Sequence, residues 1–191
     1  MKKIALVVAL CVAVFVVTTA IAFSQNNALR VFLHGEKKLT DHWNMVSHNV
    51  IPNLTQSSDA YVYFGPRYKF NRGFADFFLG YSFLKGNDNS VLVSPRFLYS
   101  VGKFYIWTDA EWYPKWNSVY TSAMLEWLPG VGVELGCESE TYSPESEKTV
   151  WNLGPNIIYN LSDKMTLDLT WQYKKVEFGG SFARLTIILN F

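Results

Sequence analysis

Three histidines are the side chains of this chain best suited to act as general bases or metal ligands. His34, His42 and His48 all lie in or beside one predicted loop, residues 36–58. A nucleophilic hydrolase needs a nucleophile, a base within reach and an orienting carboxylate, and the sequence assembles no such set. The spacing of Asp41, His42 and His48 matches no strong metal-binding motif. We therefore predict no catalytic residue, no metal site and no cofactor.

The composition excludes several classes of protein. The 191 residues are 49% hydrophobic, 17% aromatic and 17% charged, with a formal net charge of +1. A typical globular domain is about one quarter charged, so this chain is poor in charge. Its near-neutral balance offers no electrostatic footprint for nucleic acid, and its apolar content excludes disorder. The two cysteines exclude a disulfide-dense scaffold.

The N-terminal segment has the pattern of an export signal. A short basic start precedes residues 4–23, which contain no charged side chain. Small residues suit cleavage after Ala22 or Ser24. We predict that residues 1–24 are a cleaved signal peptide and that residues 25–191 form one domain. The alternative is an uncleaved anchor, because about 20 apolar residues can span a bilayer.

The rest of the chain alternates apolar and polar residues in blocks of about ten. Phe104, Ile106 and Trp112 share one face, and Asp109 and Glu111 share the other. A period of two residues is the pattern of β-strands. We predict an all-β fold, an antiparallel up-and-down barrel of about ten strands within a range of eight to twelve. The predicted strands lie near 28–35, 59–70, 73–85, 90–101, 104–114, 118–128, 130–138, 149–161, 164–175 and 181–191.

The two faces of these strands indicate that the barrel lies in lipid. The polar face of a soluble β-sandwich carries many Lys and Glu residues, whereas here it carries mostly Gly, Asn, Ser and Tyr. The apolar face carries large aromatic residues on nearly every strand, as lipid-facing surfaces do. The charged residues of the polar face are six basic, Arg30, Arg67, Lys69, Arg96, Lys174 and Arg184, and six acidic, Asp76, Asp109, Glu111, Glu126, Glu134 and Asp168. The predicted aromatic girdle comprises Trp112, Trp127, Trp151 and Trp171.

A repeated segment predicts a local bend in three strands. Residues 64–70, 93–99 and 153–159 resemble one another, and each carries a proline at its third position. Proline cannot donate a hydrogen bond to the sheet, so it is unfavourable in the middle of a strand. We predict a bulge or bend at each copy.

The C-terminus carries apolar residues at every second position, namely Leu185, Ile187, Leu189 and Phe191. This pattern resembles the assembly signal of bacterial outer-membrane β-barrels, which typically ends in Phe. The resemblance implies a Gram-negative outer membrane, contact with its lipid and lipopolysaccharide, and recognition by the barrel-assembly machinery. It also places the C-terminus on the periplasmic side, together with the short turns.

Short turns fix the register of two strand pairs inside the barrel. A turn at 102–103 places Arg96 opposite Asp109, and a turn at 71–72 places Arg67 opposite Asp76. Unlike charges in these positions attract, and an unpaired charge in a narrow lumen is costly. The predicted ion-pair residues of the lumen are Arg67, Asp76, Arg96, Asp109, Glu111, Glu126, Glu134, Asp168, Lys174 and Arg184.

These features favour a plugged barrel with a structural or interaction role and no enzyme activity. About ten strands leave little free space, and a balanced set of charges lacks the sign excess that gives a pore its selectivity. The first alternative is a narrow, porin-like pore for small polar solutes. The second is a lipid A-modifying enzyme or protease at the rim, for which His34 and Glu111 would have to meet.

Two predicted loops have unusual compositions. Loop 36–58 is rich in apolar residues, so it either folds inward as a plug, packs on the rim or forms a short helix. Loop 138–148 is acidic, and we predict a solvated tip. The alternative for this loop is a contact with a partner or with the divalent cations that bridge lipopolysaccharide.

Overall fold

The computed structural model describes residues 28–54, 59–84, 88–130, 132–145, 148–175 and 180–191. The predicted signal peptide at 1–24 lies outside these ranges. Within them the chain forms β1 (Ala28–Lys38), β2 (Trp43–Ile51), β3 (Ala60–Phe70), β4 (Gly73–Phe83), β5 (Ser90–Val101), β6 (Phe104–Tyr113), β7 (Ser118–Trp127), β8 (Val133–Ser143), β9 (Val150–Ser162), β10 (Met165–Lys175) and β11 (Gly180–Asn190). A single 3-10 turn spans Pro114–Trp116. Over the same residues, no helix has the length and hydropathy needed to cross a membrane.

The eleven strands pair in sequence order, and β11 pairs with β1 to close a barrel. The predicted all-β barrel is therefore confirmed, with one strand more than the ten we expected. Leu29 lies opposite Leu185 at this closure, and β1 and β11 are parallel, although an antiparallel barrel was expected. The reason is the odd strand number, because an up-and-down barrel returns antiparallel to its start only when the number is even.

The extra strand is β2, which lies within the segment predicted as loop 36–58. Val46 and Val50 are buried inside the barrel, whereas Ser47 and Asn49 occupy the opposite face. The outer face also carries the exposed Trp43, and the inner face also carries the buried Asn44, so each face of β2 mixes apolar and polar residues and the sequence shows no clear alternation. The prediction of a loop is therefore wrong over most of this segment.

The two ends of the barrel differ in the length of their connections. At one end, which we call the turn end, strands are joined by residues 39–42, 71–72, 102–103, 128–132 and 163–164. At the other end, the loop end, the connections are 52–59, 84–89, 114–117, 144–149 and 176–179. Phe191 lies at the turn end. Because β1 runs parallel to β11, the chain enters β1 from the loop end.

The three repeated prolines coincide with interruptions in strand pairing. The β3–β4 ladder skips Gly65 and Pro66, and the β5–β6 ladder skips Pro95. The β9–β10 ladder skips Gly154 and Pro155. The register is the same on both sides of each proline, so these positions carry no bulge in their ladders, and the bend we expected at each copy stays a prediction.

The outer surface of the barrel is a band of apolar side chains that encircles it. Its exposed side chains include Trp43, Val62, Phe64, Tyr68, Phe77, Leu79, Tyr81, Phe83, Val91, Phe97, Tyr99, Val101, Phe104, Ile106, Trp112, Val119, Leu125, Trp127, Leu135, Trp151, Leu153, Leu161, Trp171 and Tyr173. Within the strands whose side chains are described, the exposed charged residues are Lys37 and Lys38, at the turn end of β1. Of the predicted girdle, Trp112 and Trp151 lie towards the loop end and Trp127 lies at the turn end.

Candidate functional site: the barrel lumen

Four charged residues alternate in sign around one row of the inner wall. Arg67, Asp76, Arg96 and Asp109 lie directly opposite one another on β3, β4, β5 and β6. All four side chains are almost fully buried. Opposite charges on neighbouring strands stabilise the sheet, and burial makes the loss of any one of them costly.

Arg67, which lies near the turn end of β3, contacts several side chains at once. Its Nε and Nη2 donate to the two carboxylate oxygens of Asp76 at 2.7 and 2.8 Å. Its Nη1 donates to Glu36 at 2.6 Å, and Glu36 also pairs with Lys69. The guanidinium carbon lies 3.7 Å from the centre of the Phe74 ring. Paired bonds of this kind fix a guanidinium in orientation as well as in position.

Arg96 joins the row to a contact that crosses the barrel. Its Nε lies 3.2 Å from Asp109 and its Nη2 lies 3.6 Å from Glu111. Glu111 accepts a hydrogen bond of 2.7 Å from the Tyr63 hydroxyl, which comes from β3. The Arg96 guanidinium also lies over the rings of Tyr63 and Phe78. The β3 and β6 strands are thus linked through the interior and not only around the wall.

Arg184 forms a second cross-lumen cluster with acids of β8. Its Nη1 donates to Glu140 at 2.7 Å, and its Nη2 pairs with Glu138. Arg30 on β1 approaches the same Glu140 oxygen at 3.5 Å, and the Tyr120 hydroxyl donates to it at 2.8 Å. Since β8 is not a neighbour of β1 or β11, these contacts also cross the interior.

The two acids in this cluster correct the prediction for loop 138–148. Glu138 and Glu140 are buried, because β8 continues to Ser143 before the chain leaves the wall. The outward neighbours in this stretch include Ser139 and Thr141, so both faces are polar and the sequence shows no alternation. A solvated tip is therefore wrong for the first part of the predicted loop.

Three predicted ion-pair acids have neutral partners among the described side chains. Glu126 accepts a hydrogen bond of 2.7 Å from an Asn side chain of β9, and Glu134 accepts one of 2.6 Å from a Tyr side chain of β6. Asp168 accepts one of 3.1 Å from a Thr side chain of its own strand. The side chain of Lys174 lies outside the described part of the structure.

Among the residues that the structure describes, the lumen carries more acids than bases, which contradicts the predicted balance. Glu36, Glu138 and Glu140 join the six acids expected from the sequence, which makes nine. The bases number six even when Lys174 is counted where the alternation places it. The three additional acids were missed because they lie in segments that we predicted as loops.

The lumen contains a packed cluster and a cavity. Val46, Val50, Tyr63, Phe78, Leu92 and Tyr113 form a buried cluster. A cavity of about 540 Å³ borders this cluster, and its lining runs from Leu84 and Trp116 at the loop end to Asn160 and Ile188 near the turn end. Its aromatic lining is Phe32, Tyr61, Tyr63, Tyr105, Trp107, Tyr113, Trp116, Tyr120 and Tyr142. The cross-lumen contacts therefore constrict the interior without filling it.

Two of the three histidines, His34 and His48, lie close together in the lumen. The Nδ1 atoms of His34 and His48 lie 3.3 Å apart, and His34 Nε2 lies 3.5 Å from Glu36. Glu111 is bound by Tyr63, Tyr113 and Arg96, so the structure pairs it with those residues and not with His34. His42 lies apart, with its Nδ1 3.2 Å from the Lys69 carbonyl oxygen. In the described chain, no three metal-ligating side chains converge.

The predicted C-terminal signal residues form the closing seam of the barrel. Leu185, Ile187 and Leu189 lie between apolar residues of β1 and β10, with Val31 and Leu167 on either side of Ile187. Phe191 is 80% exposed at the turn end, and its N–H donates to a carbonyl of β1 at 2.9 Å. The seam is therefore apolar on its outer side along its whole length.

One ion pair links two connections at the loop end, outside the barrel wall. Lys115 Nζ donates to Asp88 at 2.6 Å. This hydrogen bond holds the pKa of the exposed Asp88 carboxyl below its ordinary value. Exposed ion pairs add little to the free energy of unfolding, so we expect this contact to contribute little to the stability of the barrel.

Comparisons with known proteins do not identify a family for this chain. No family model matches the sequence, and no curated protein matches it. The function is therefore inferred from the outer surface and the lumen alone.

Proposed function

We propose that this protein is an integral β-barrel of the bacterial outer membrane with a structural or interaction role and a constricted lumen. The observation that carries the proposal is the outer surface, where large apolar side chains encircle the barrel. Soluble monomers rarely expose contiguous apolar patches of more than a few hundred Å², whereas lipid covers such a surface at no cost. Residues 1–24 would direct export, and the seam ending at Phe191 would direct assembly by the barrel-assembly machinery.

The constriction is supported by contacts between strands that are not neighbours. Tyr63 reaches Glu111 from β3 to β6, and Arg184 reaches Glu140 from β11 to β8. Such contacts cross the space that a solute would occupy. Breaking one of these contacts would leave a buried polar atom without a hydrogen-bond partner, which is unfavourable. The contacts across the lumen are therefore expected to stay formed. We assign no catalytic role to the lumen or the rim.

Membrane localisation is tested by fractionation and electrophoresis. We expect the protein in the outer-membrane fraction, and we expect the unheated sample to migrate faster than the boiled one. Recovery in the soluble periplasm, or identical migration with and without heat, would contradict the proposal. A shift in the mass of lipid A on expression would contradict the absence of enzyme activity.

A narrow pore that prefers cations is a second candidate. It is favoured by the cavity of about 540 Å³ and by the excess of acids, because the sign of lumen charge sets ion selectivity. Planar bilayers separate the two candidates. A constricted barrel gives no steady channels, whereas the pore gives channels whose reversal potential in a KCl gradient shows K⁺ preference.

A further inference from the structure

Two acids line the lumen cavity towards the turn end without a basic partner among the described side chains. Glu134 accepts hydrogen bonds from Tyr105 at 2.6 Å and from Asn160 at 2.8 Å. Asp168 is almost fully buried and is bound by the Thr170 hydroxyl at 3.1 Å. The backbone of Lys174 lies six residues along β10 from Asp168, about 20 Å away.

The two carboxylates lie on the same level of the inner wall. Glu134 and Asp168 both face Ile158 in the strand register, one from β8 and the other from β10. Their backbones are thus two strand spacings apart, about 10 Å. A cation lying over Ile158 would therefore have a carboxylate on each side of it.

An unpartnered hydroxyl next to Asp168 indicates that the cavity takes a polar group. Thr186 lies directly opposite Asp168 on β11 and lines the cavity. It is 2% exposed, and its Oγ1 has no hydrogen-bond partner. Leaving a buried polar atom without a partner is unfavourable, so a group that donates to it here is stabilised.

The lining of the cavity also includes aromatic and aliphatic side chains beside its polar ones. Tyr105 and Trp107 present rings to the cavity, and Met124, Leu98 and Ile188 complete the lining. The face of an aromatic ring attracts a cation, and the same face packs against an apolar group. The volume of the whole cavity, about 540 Å³, lies within the range of small-molecule sites.

We infer that the turn-end half of the lumen cavity binds an organic primary ammonium ion that carries a flat apolar body. The ammonium group lies between Glu134 and Asp168 and donates to the Thr186 hydroxyl, while the body packs against Trp107 and Tyr105. Binding of this kind goes beyond the proposed membrane role. It requires the barrel but does not require that the lumen conduct.

The test measures binding of three matched probes to the purified, folded protein in detergent micelles by calorimetry. The probes are 2-phenylethylammonium, the neutral 2-phenylethanol and the anionic 3-phenylpropionate. We expect the cation to bind at least tenfold more tightly than either of the others. Equal affinity for the cation and the alcohol, or tighter binding of the anion, would overturn the inference.

Four variants locate the site. Asp168→Asn, Glu134→Gln and Thr186→Val should each weaken the cation, the two carboxylate changes at least tenfold, with little effect on the alcohol. Asp163→Asn removes an exposed carboxylate at the same end of the barrel, outside the lumen, and should change nothing. Heat-modifiable migration shows that each variant is folded. Unchanged cation affinity in folded Asp168→Asn and Glu134→Gln would overturn the site, and a folded membrane barrel that lacks binding would leave the proposed membrane role intact.

Discussion

The charged residues of the lumen differ in what their removal leaves behind. Arg96 is the shared partner of Asp109 and Glu111, so its loss leaves two buried carboxylates without a guanidinium. Glu126 and Glu134 already rely on neutral donors, so neighbouring arginines matter less to them. The cost of a mutation in this barrel therefore depends on the partners left unpaired and not on charge alone.

The pair of Arg96 and Asp109 provides the test at this scale. Arg96→Met should lower the free energy of unfolding by about 3–5 kcal/mol, because it leaves buried carboxylates unpaired. The double change Arg96→Met with Asp109→Leu should cost less than Arg96→Met alone, because it also removes the Asp109 carboxylate that would be left unpaired. Glu111 keeps its tyrosine donors in both variants. Urea titration of the protein folded into lipid vesicles measures both. A cost under about 1 kcal/mol for Arg96→Met would indicate a wide, water-filled lumen in which solvent screens the pair.

At the scale of the strand, the sequence predicted the tight turns, whereas it did not predict strands whose faces are mixed or uniformly polar. The turns at 71–72 and 102–103 set the register that brings Arg67 to Asp76 and Arg96 to Asp109. We missed strand β2 because each of its faces mixes apolar and polar residues. The alternation rule detects a strand only where its two faces differ in the expected sense.

The glycines that precede two of the strand-interrupting prolines should not tolerate a side chain. A Cβ on Gly154 would lie 1.8 Å from the carbonyl oxygen of Trp171, a backbone atom that cannot move without the strand. We expect Gly154→Ala to destabilise the barrel by about 1–3 kcal/mol or more, as overpacking does. The matched control is Gly35→Ala, whose Cβ meets the side-chain hydroxyl of Ser47 alone and should cost much less. Equal unfolding midpoints for the two variants would contradict the close approach of β9 and β10.

The two faces of β10 should respond differently to a charge. Leu169 points to the outer surface near the middle of the strand, so Leu169→Arg should cost about 2–4 kcal/mol in a bilayer. Thr166 lines the cavity, so Thr166→Arg places its guanidinium in the acid-rich interior and should cost far less. Folding yield into vesicles and urea titration compare the two. Similar losses would show that the outer face of β10 is not in lipid.

At the scale of the whole molecule, closure creates contacts that no local pattern contains. Arg184 and Glu140 are 44 residues apart and lie on strands that are not neighbours, so nothing in the spacing of either residue indicates their pairing. The acid excess of the lumen likewise depends on Glu36, Glu138 and Glu140 being drawn into strands. The barrel as a class was predictable because alternation is a local property, whereas the contents of its lumen follow from strand number and ring closure.

The odd strand number makes a prediction about which side of the membrane the mature N-terminus faces. The chain enters β1 from the loop end, while Phe191 lies at the turn end. If the turn end is periplasmic, as the C-terminal signal implies, an epitope inserted after Ser24 should be detected by antibody on intact cells. An epitope in the turn at 102–103 is the control and should be detected only after the outer membrane is permeabilised. A ten-stranded barrel would place both epitopes on the periplasmic side, so detection of the first only after permeabilisation would contradict β2 as a strand of the wall.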